Sequence, residues 1–99
     1  MTNAQVRELK ARAQRMKASL KIGKDGLSVP FIAALNLELE RHQLVKVKFD
    51  EFKDQKKELS PRLAEITASY LVTRVGNVVV LFRASQEREP AKARGPVLE

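Results

Sequence analysis

Cysteine and tryptophan are both missing from this 99-residue chain, and histidine occurs once. Without thiols there is no disulfide framework and no thiolate metal site. No run approaches the roughly 18 consecutive apolar residues that a membrane-spanning helix needs. The N-terminal MTNAQVRELKARAQRMK also lacks the apolar centre of a signal peptide, so a soluble, cytoplasmic protein is expected. His42 ends an apolar stripe with no nucleophile or orienting carboxylate near it, which suits a helix-end or core residue better than a general base. Glu38 and Glu40 stand two apart and point in different directions on a helix, which excludes a local carboxylate pair. Asp50, Glu51 and Asp54 read as a solvated charge run, and neither a Walker loop nor a dinucleotide fingerprint occurs. Nothing supports a catalytic centre, a metal, a cofactor or a small-molecule substrate, and the expected protein is not an enzyme.

What the chain does have is positive charge. Nineteen Lys and Arg against twelve Asp and Glu leave a net charge of +7, which favours a polyanionic partner, nucleic acid first and an anionic membrane surface second. Residues 1–24 hold seven cations and one anion, so the excess leads into the Gly-x-x-Gly stretch at Gly23, Lys24, Asp25 and Gly26. On a helix, Val6, Leu9, Ala13 and Met16 share one stripe, with Arg7, Lys10, Arg15, Lys17 and Lys21 spread over the opposite side. That stripe carries no Trp or Phe, which disfavours a membrane-lying helix.

The hydrophobic content of 43% suffices for one core, hence one domain spanning residues 1–84. After the basic helix, Leu20 and Ile22 alternate as a short strand ended by Gly23. Ser28 is an N-cap for a second helix with Pro30 in its first turn, and Phe31, Ile32, Leu35 and Leu39 form its buried stripe, which runs to about His42. Strict alternation over Leu44 to Phe49 turns Val45, Val47 and Phe49 one way and Lys46 and Lys48 the other, a strand with a cationic outer face. Leu59, Leu63, Ile66 and Tyr70 recur at helical spacing, with Pro61 kinking the helix or marking its start and Ser60 as cap. Two β-rich runs flank Gly76-Asn77, a hairpin turn pair, and Val78 to Phe82 is apolar on both faces, as a central strand would be. From Ser85 the composition of charge, Pro and small residues predicts a disordered, basic tail in which Arg88, Lys92 and Arg94 add weak electrostatic affinity. The order α-β-α-β-α-β-β calls for an α+β fold: a mixed sheet with helices on at least one face.

A Gly-x-x-Gly turn between a strand and a helix admits a phosphate close to the backbone. The amides at the following helix start favour an anion, and Lys24 adds a mobile cation. KH domains clamp a nucleic-acid backbone with a loop of this form. The pattern alone is also what many plain turns contain. Its context adds weight, because a cationic helix precedes it and Lys21, Lys46 and Lys48 accompany it.

Three blocks in order, LKARAQRMKASLKIGKDGLS, LERHQLVKVKF, and LAEIT followed by VGNVVVLFR, resemble the CRM (chloroplast RNA splicing and ribosome maturation) domain family in its stand-alone YhbY-type form, over residues from about Gln5 to Glu87. The resemblance implies a four-stranded mixed sheet with helices packed on it, similar to the C-terminal domain of translation initiation factor three. It implies RNA binding without catalysis and, for single-domain bacterial members, association with precursors of the large ribosomal subunit. The RNA-binding residues it implies are Gly23, Lys24, Asp25 and Gly26 with Lys21, Lys46, Lys48 and Arg83. Two departures stand out: Ala68 occupies a position where the family has glycine, and Asp25 puts an anion inside the loop.

The expected function is therefore recognition of structured ribosomal RNA by a monomer, mainly through backbone phosphates, with Lys10, Arg15 and Lys17 of the first helix contributing. Phe31, Phe49, Phe52, Phe82 and Tyr70 are the chain's aromatics, few for base stacking. The rival from another class is a protein-interaction module docking to an assembly factor or ribosomal protein. A nucleic-acid enzyme is disfavoured by the missing catalytic constellation.

Overall fold

Three helices and four strands follow one another in the computed structural model, which describes residues 1–84. They are α1 (Asn3–Gln14), β1 (Leu20–Ile22), α2 (Val29–His42), β2 (Leu44–Phe49), α3 (Lys56–Ile66), β3 (Tyr70–Val75) and β4 (Val78–Phe82), with a 3-10 turn at Lys53–Gln55 leading into α3. The predicted order and the four-stranded mixed sheet are both observed. The tail from Ser85, with Arg88, Lys92 and Arg94, lies outside the described residues.

Local chemistry sets the helix starts. Thr2 and Gln5 form a reciprocal capping box on α1, and Ser28 Oγ accepts the Phe31 amide of α2 at 3.3 Å. In the sheet the strand order is β1-β2-β4-β3, with β1 parallel to β2 and the other pairs antiparallel. The apolar run of β4 is central, and Gly76-Asn77 closes the β3–β4 hairpin with Gly76 at φ 59.

The sheet is covered on both faces. Alternation sends Ile22, Val45, Val47, Phe49, Val79 and Leu81 to one side, where Leu35 and Leu39 of α2 and Leu63 and Ala64 of α3 complete the larger core. On the other side Leu44, Val72 and Val80 meet Leu9 and Ala13 of α1, with Val6, Met16 and Phe82 packed around them. Thus the stripe predicted on α1 is buried against the sheet. A β-bulge between Leu71 and Thr73 keeps Val72 in this second core while restoring the register of β3.

Several expectations need correction. Lys46 does not stand on an open cationic face, because α1 covers that part of the sheet. Its ammonium donates to the carbonyls of Ala13 at 2.9 Å and Met16 at 3.0 Å, which tie off the C-terminal end of α1. Ser60 is buried inside α3 and caps nothing, since the helix already begins at Lys56. Pro61 sits within α3, where it lacks the N–H that would bond to the Lys57 carbonyl one turn earlier. Ile66 and Tyr70 are exposed, as α3 ends at the first and the second begins edge strand β3. His42 is also exposed, with Nε2 3.8 Å from Glu38 Oε1.

Arg83 requires the largest revision. Its guanidinium donates to Asn36 Oδ1 at 2.9 Å, the Asn36 carbonyl at 3.1 Å and the Thr67 carbonyl at 2.7 Å, clasping α2 to the end of α3. It follows β4 at the end opposite Val78, so it stands a whole strand away from the glycine turn. A phosphate would have to displace three good hydrogen bonds to reach it.

At the end of α3, Ala68 adopts φ 52. The Ala68 amide bonds to the Glu65 carbonyl and the Ser69 amide to the Ala64 carbonyl, a Schellman ending whose left-handed residue is usually glycine. Replacing Ala68 with Gly is expected to raise stability by about 1 kcal/mol, because the Cβ penalty of the left-handed region disappears. Arg83→Ala is expected to lower it by about 2 kcal/mol, since the carbonyls of Asn36 and Thr67 lose their charged donor. Urea denaturation of both variants measures the two effects in opposite directions.

Candidate nucleic-acid interface

The register brings four residues into one row across the sheet: Val75 pairs with Val78, Val78 with Lys48, and Lys48 with Lys21. Directly opposed residues share a face and strands lie about 4.8 Å apart, so the row points to the α1 side. It lies beyond the reach of α1: Lys21 and Lys48 are exposed, and Val75 is 69% exposed. Two like charges directly across a strand pair repel and destabilise the sheet by a few tenths of a kcal/mol or more. An external anion bridging them reverses that cost.

The glycine turn emerges at the same end. Gly23, Lys24, Asp25 and Gly26 form a β-turn closed by the Gly26 amide on the Gly23 carbonyl at 3.0 Å, with Gly26 at φ 63. Lys24 and Asp25 occupy the exposed tip, and Asp25 makes no hydrogen bond or ion pair with another described residue. The carboxylate therefore caps nothing. Leu27 and Ser28 separate the turn from α2, and the start of α2 is a poor anion seat: Pro30 has no N–H, and the Phe31 amide is taken by Ser28. Any grip on a phosphate at this end falls to the tip of the turn and its neighbouring lysines, not to the helix start as the sequence suggested.

The two glycines differ. A Cβ on Gly26 would come within 3.3 Å of the Phe52 ring, and its φ is left-handed, so any side chain at this position is strained and crowds the ring. A Cβ on Gly23 would meet nothing within 4 Å. The fold itself makes no steric demand for glycine at position 23.

The cations expected on α1 separate into different surroundings. Lys10 and Gln14 border a groove of about 330 Å³ floored by Thr73, Val75, Val78 and Val80, on the same sheet face as Lys21 and Lys48. Lys17 instead lines a different hollow with Arg12, Glu38 and His42. Arg15 is exposed just past the last turn of α1. Among the described residues the one ion pair joins His42 to Glu38, so Lys10, Arg15, Lys17, Lys21, Lys24 and Lys48 are not neutralised by any described carboxylate.

The structure thus gathers Lys10, Lys21, Lys24 and Lys48 around one end of one sheet face. It commits Lys46 and Arg83 to internal bonds. It also adds two side chains that sequence reasoning passed over, Phe52 and Arg62, which border a hollow beside Asp25 and Gly26. The available signal for Phe52 was a lone aromatic inside the charged run DEFKDQKKE.

Residues 1–83 match the CRS1 / YhbY (CRM) domain. The probable RNA-binding protein YqeI of Bacillus subtilis (strain 168) is 28% identical over 90 residues, covering 90% of this chain and 94% of its own. The solution structure of the hypothetical protein SAV1595 from Staphylococcus aureus superposes with a TM-score of 0.74 at 35% identity, over 91% of this chain and 95% of the other. The match over residues 1–83, with a shared fold at 35% identity, places the chain in the CRS1/YhbY (CRM) domain family.

Proposed function

We propose that this protein binds RNA without catalysing a reaction, through the end of the α1-side sheet face and the adjoining glycine turn. The observation that carries this is the in-register Lys21–Lys48 pair on an open face, with Lys24 on the turn that leaves the same strand. Two like charges side by side cost the sheet stability, and a polyanion that occupies them offsets that cost. The name of YqeI, a probable RNA-binding protein, supports the same partner.

The finer proposal is structured ribosomal RNA, bound by a cytoplasmic monomer during assembly of the large subunit, as the resemblance to stand-alone YhbY-type domains implies. Among the described residues no helix is long and apolar enough to cross a membrane. With lysines as the main contacts, backbone charge and shape dominate over base sequence. In cells, crosslinked RNA is expected to be mainly ribosomal, and a population of mainly messenger or transfer RNA would contradict the ribosomal assignment.

Replacing Lys21, Lys24 and Lys48 together with Gln is expected to reduce the slope of log affinity against log salt by about 2 to 3 units, one phosphate contact per lysine. The melting temperature should hold or rise, because the like-charge pair is removed. An unchanged slope in a folded variant excludes this end of the sheet. Gly23→Ala is expected to keep stability within about 0.5 kcal/mol, as its Cβ meets no atom. Its RNA affinity should nevertheless fall about 5-fold, or about 1 kcal/mol, where the added methyl obstructs a phosphate.

A further inference from the structure

Phe52 is an aromatic residue in a backbone conformation that aromatic residues rarely take. Its φ of 58 and ψ of 31 are left-handed, and its side chain is 38% exposed instead of entering either core. Bulky side chains at positive φ are outliers, and an outlier that persists is held by its surroundings. The Asp50 and Glu51 amides both donate to the Ile22 carbonyl, at 3.1 and 3.0 Å, and the Gln55 amide donates to the Phe52 carbonyl at 3.0 Å. These bonds pin the segment on both sides of Phe52 and lay its ring against Gly26, the last residue of the turn.

The ring forms part of a hollow of about 490 Å³ bordered also by Asp25, Leu27, Glu58, Leu59 and Arg62. With two carboxylates against the one cation Arg62, this hollow is net negative and a poor seat for a phosphate. They suit a nucleobase, whose amino and imino groups donate to carboxylate oxygens and whose flat face stacks on an aromatic ring. Lys24 precedes Asp25 on the exposed tip of the same turn and supplies a cation for the adjoining phosphate. One nucleotide can therefore leave its phosphate at the turn and turn its base inward.

We propose that Phe52 is a stacking platform for one unpaired base of the bound RNA, with Asp25 and Glu58 as acceptors at its edge. This deepens the RNA-binding function proposed above and rests on it. The division of labour explains why an aspartate sits inside a cationic turn: Lys24 contacts the backbone and Asp25 the base. It also separates two contributions that respond differently to salt, since stacking releases no counterions.

The test uses the full chain and a short unstructured RNA oligonucleotide over a range of salt. Phe52→Leu, which keeps an apolar side chain against Gly26, is expected to bind roughly 5- to 100-fold more weakly at every salt concentration with the slope unchanged. In parallel, Phe52→Trp supplies the chain's single tryptophan, whose fluorescence should be quenched as RNA binds. The quenching experiment decides the matter if the leucine variant does not fold. Wild-type affinity in folded Phe52→Leu, a loss that comes with a lower salt slope, or unquenched tryptophan under saturating RNA each overturns the platform. Binding by the wild type together with any of these leaves the general RNA-binding function standing. A wild type that binds neither this oligonucleotide nor a structured RNA at low salt removes both.

Discussion

The Ile22 carbonyl accepts two amides from the segment that follows β2, and the binding end of the molecule depends on that junction. Ile22 is the last residue of β1, fully buried, and paired in register with Phe49. Its side chain fixes the parallel strand pair into the larger core. Its backbone fastens the glycine turn on one side and the Asp50–Phe52 segment on the other. Without this junction Lys21 and Lys48 would lose their common row, and Phe52 would lose its seat on Gly26.

Charge and packing are separated on this scaffold. The cores use Leu, Ile, Val and Phe on both sheet faces, and the polar bonds that knit the elements use a specific few cations. Lys46 closes the end of α1, Arg83 clasps α2 to α3, and Lys56 Nζ reaches Asn77 Oδ1 at 2.9 Å to hold the hairpin turn. Of the cations left over, Lys10, Lys21, Lys24 and Lys48 gather towards the opposite end of the sheet from Arg83. The formal charge of +7 lies within residues 1–84, because Arg88, Lys92 and Arg94 are balanced by Glu87, Glu89 and Glu99. The segment from Ser85 is therefore not basic on balance, and the attraction for a polyanion originates in the folded part.

Periodicity revealed what periodicity encodes. The stripe Val6, Leu9, Ala13 and Met16, the alternation of β2, the Ser28 cap and the Gly76-Asn77 turn are local patterns, and each appears in the structure as read. The fate of Lys46 was not local. Alternation tells which residues share a face of β2, but not that a helix thirty residues upstream lies across it. Arg83 was misplaced for the same reason, since its partners Asn36 and Thr67 are remote in sequence. Of the two readings of Pro61, the one that placed it inside the helix holds and the one that made it the start does not, because α3 already begins at Lys56. Within the site, Gly26 and Gly23 look alike in sequence, and the left-handed φ of Gly26 with the Phe52 ring beside it distinguishes the position where a side chain is strained from the one where it is not.

Amide chemical shifts of the isotopically labelled protein, followed as structured RNA is added, test the location of the interface most directly. The amides of Lys21, Lys24, Lys48 and Val78 are expected to move together and to saturate together, with α2 and the last turn of α3 nearly still. Shifts confined to Ala33, Leu37 and Glu40 of α2 and Glu65 of α3, on the opposite layer, would contradict the assignment of the binding face.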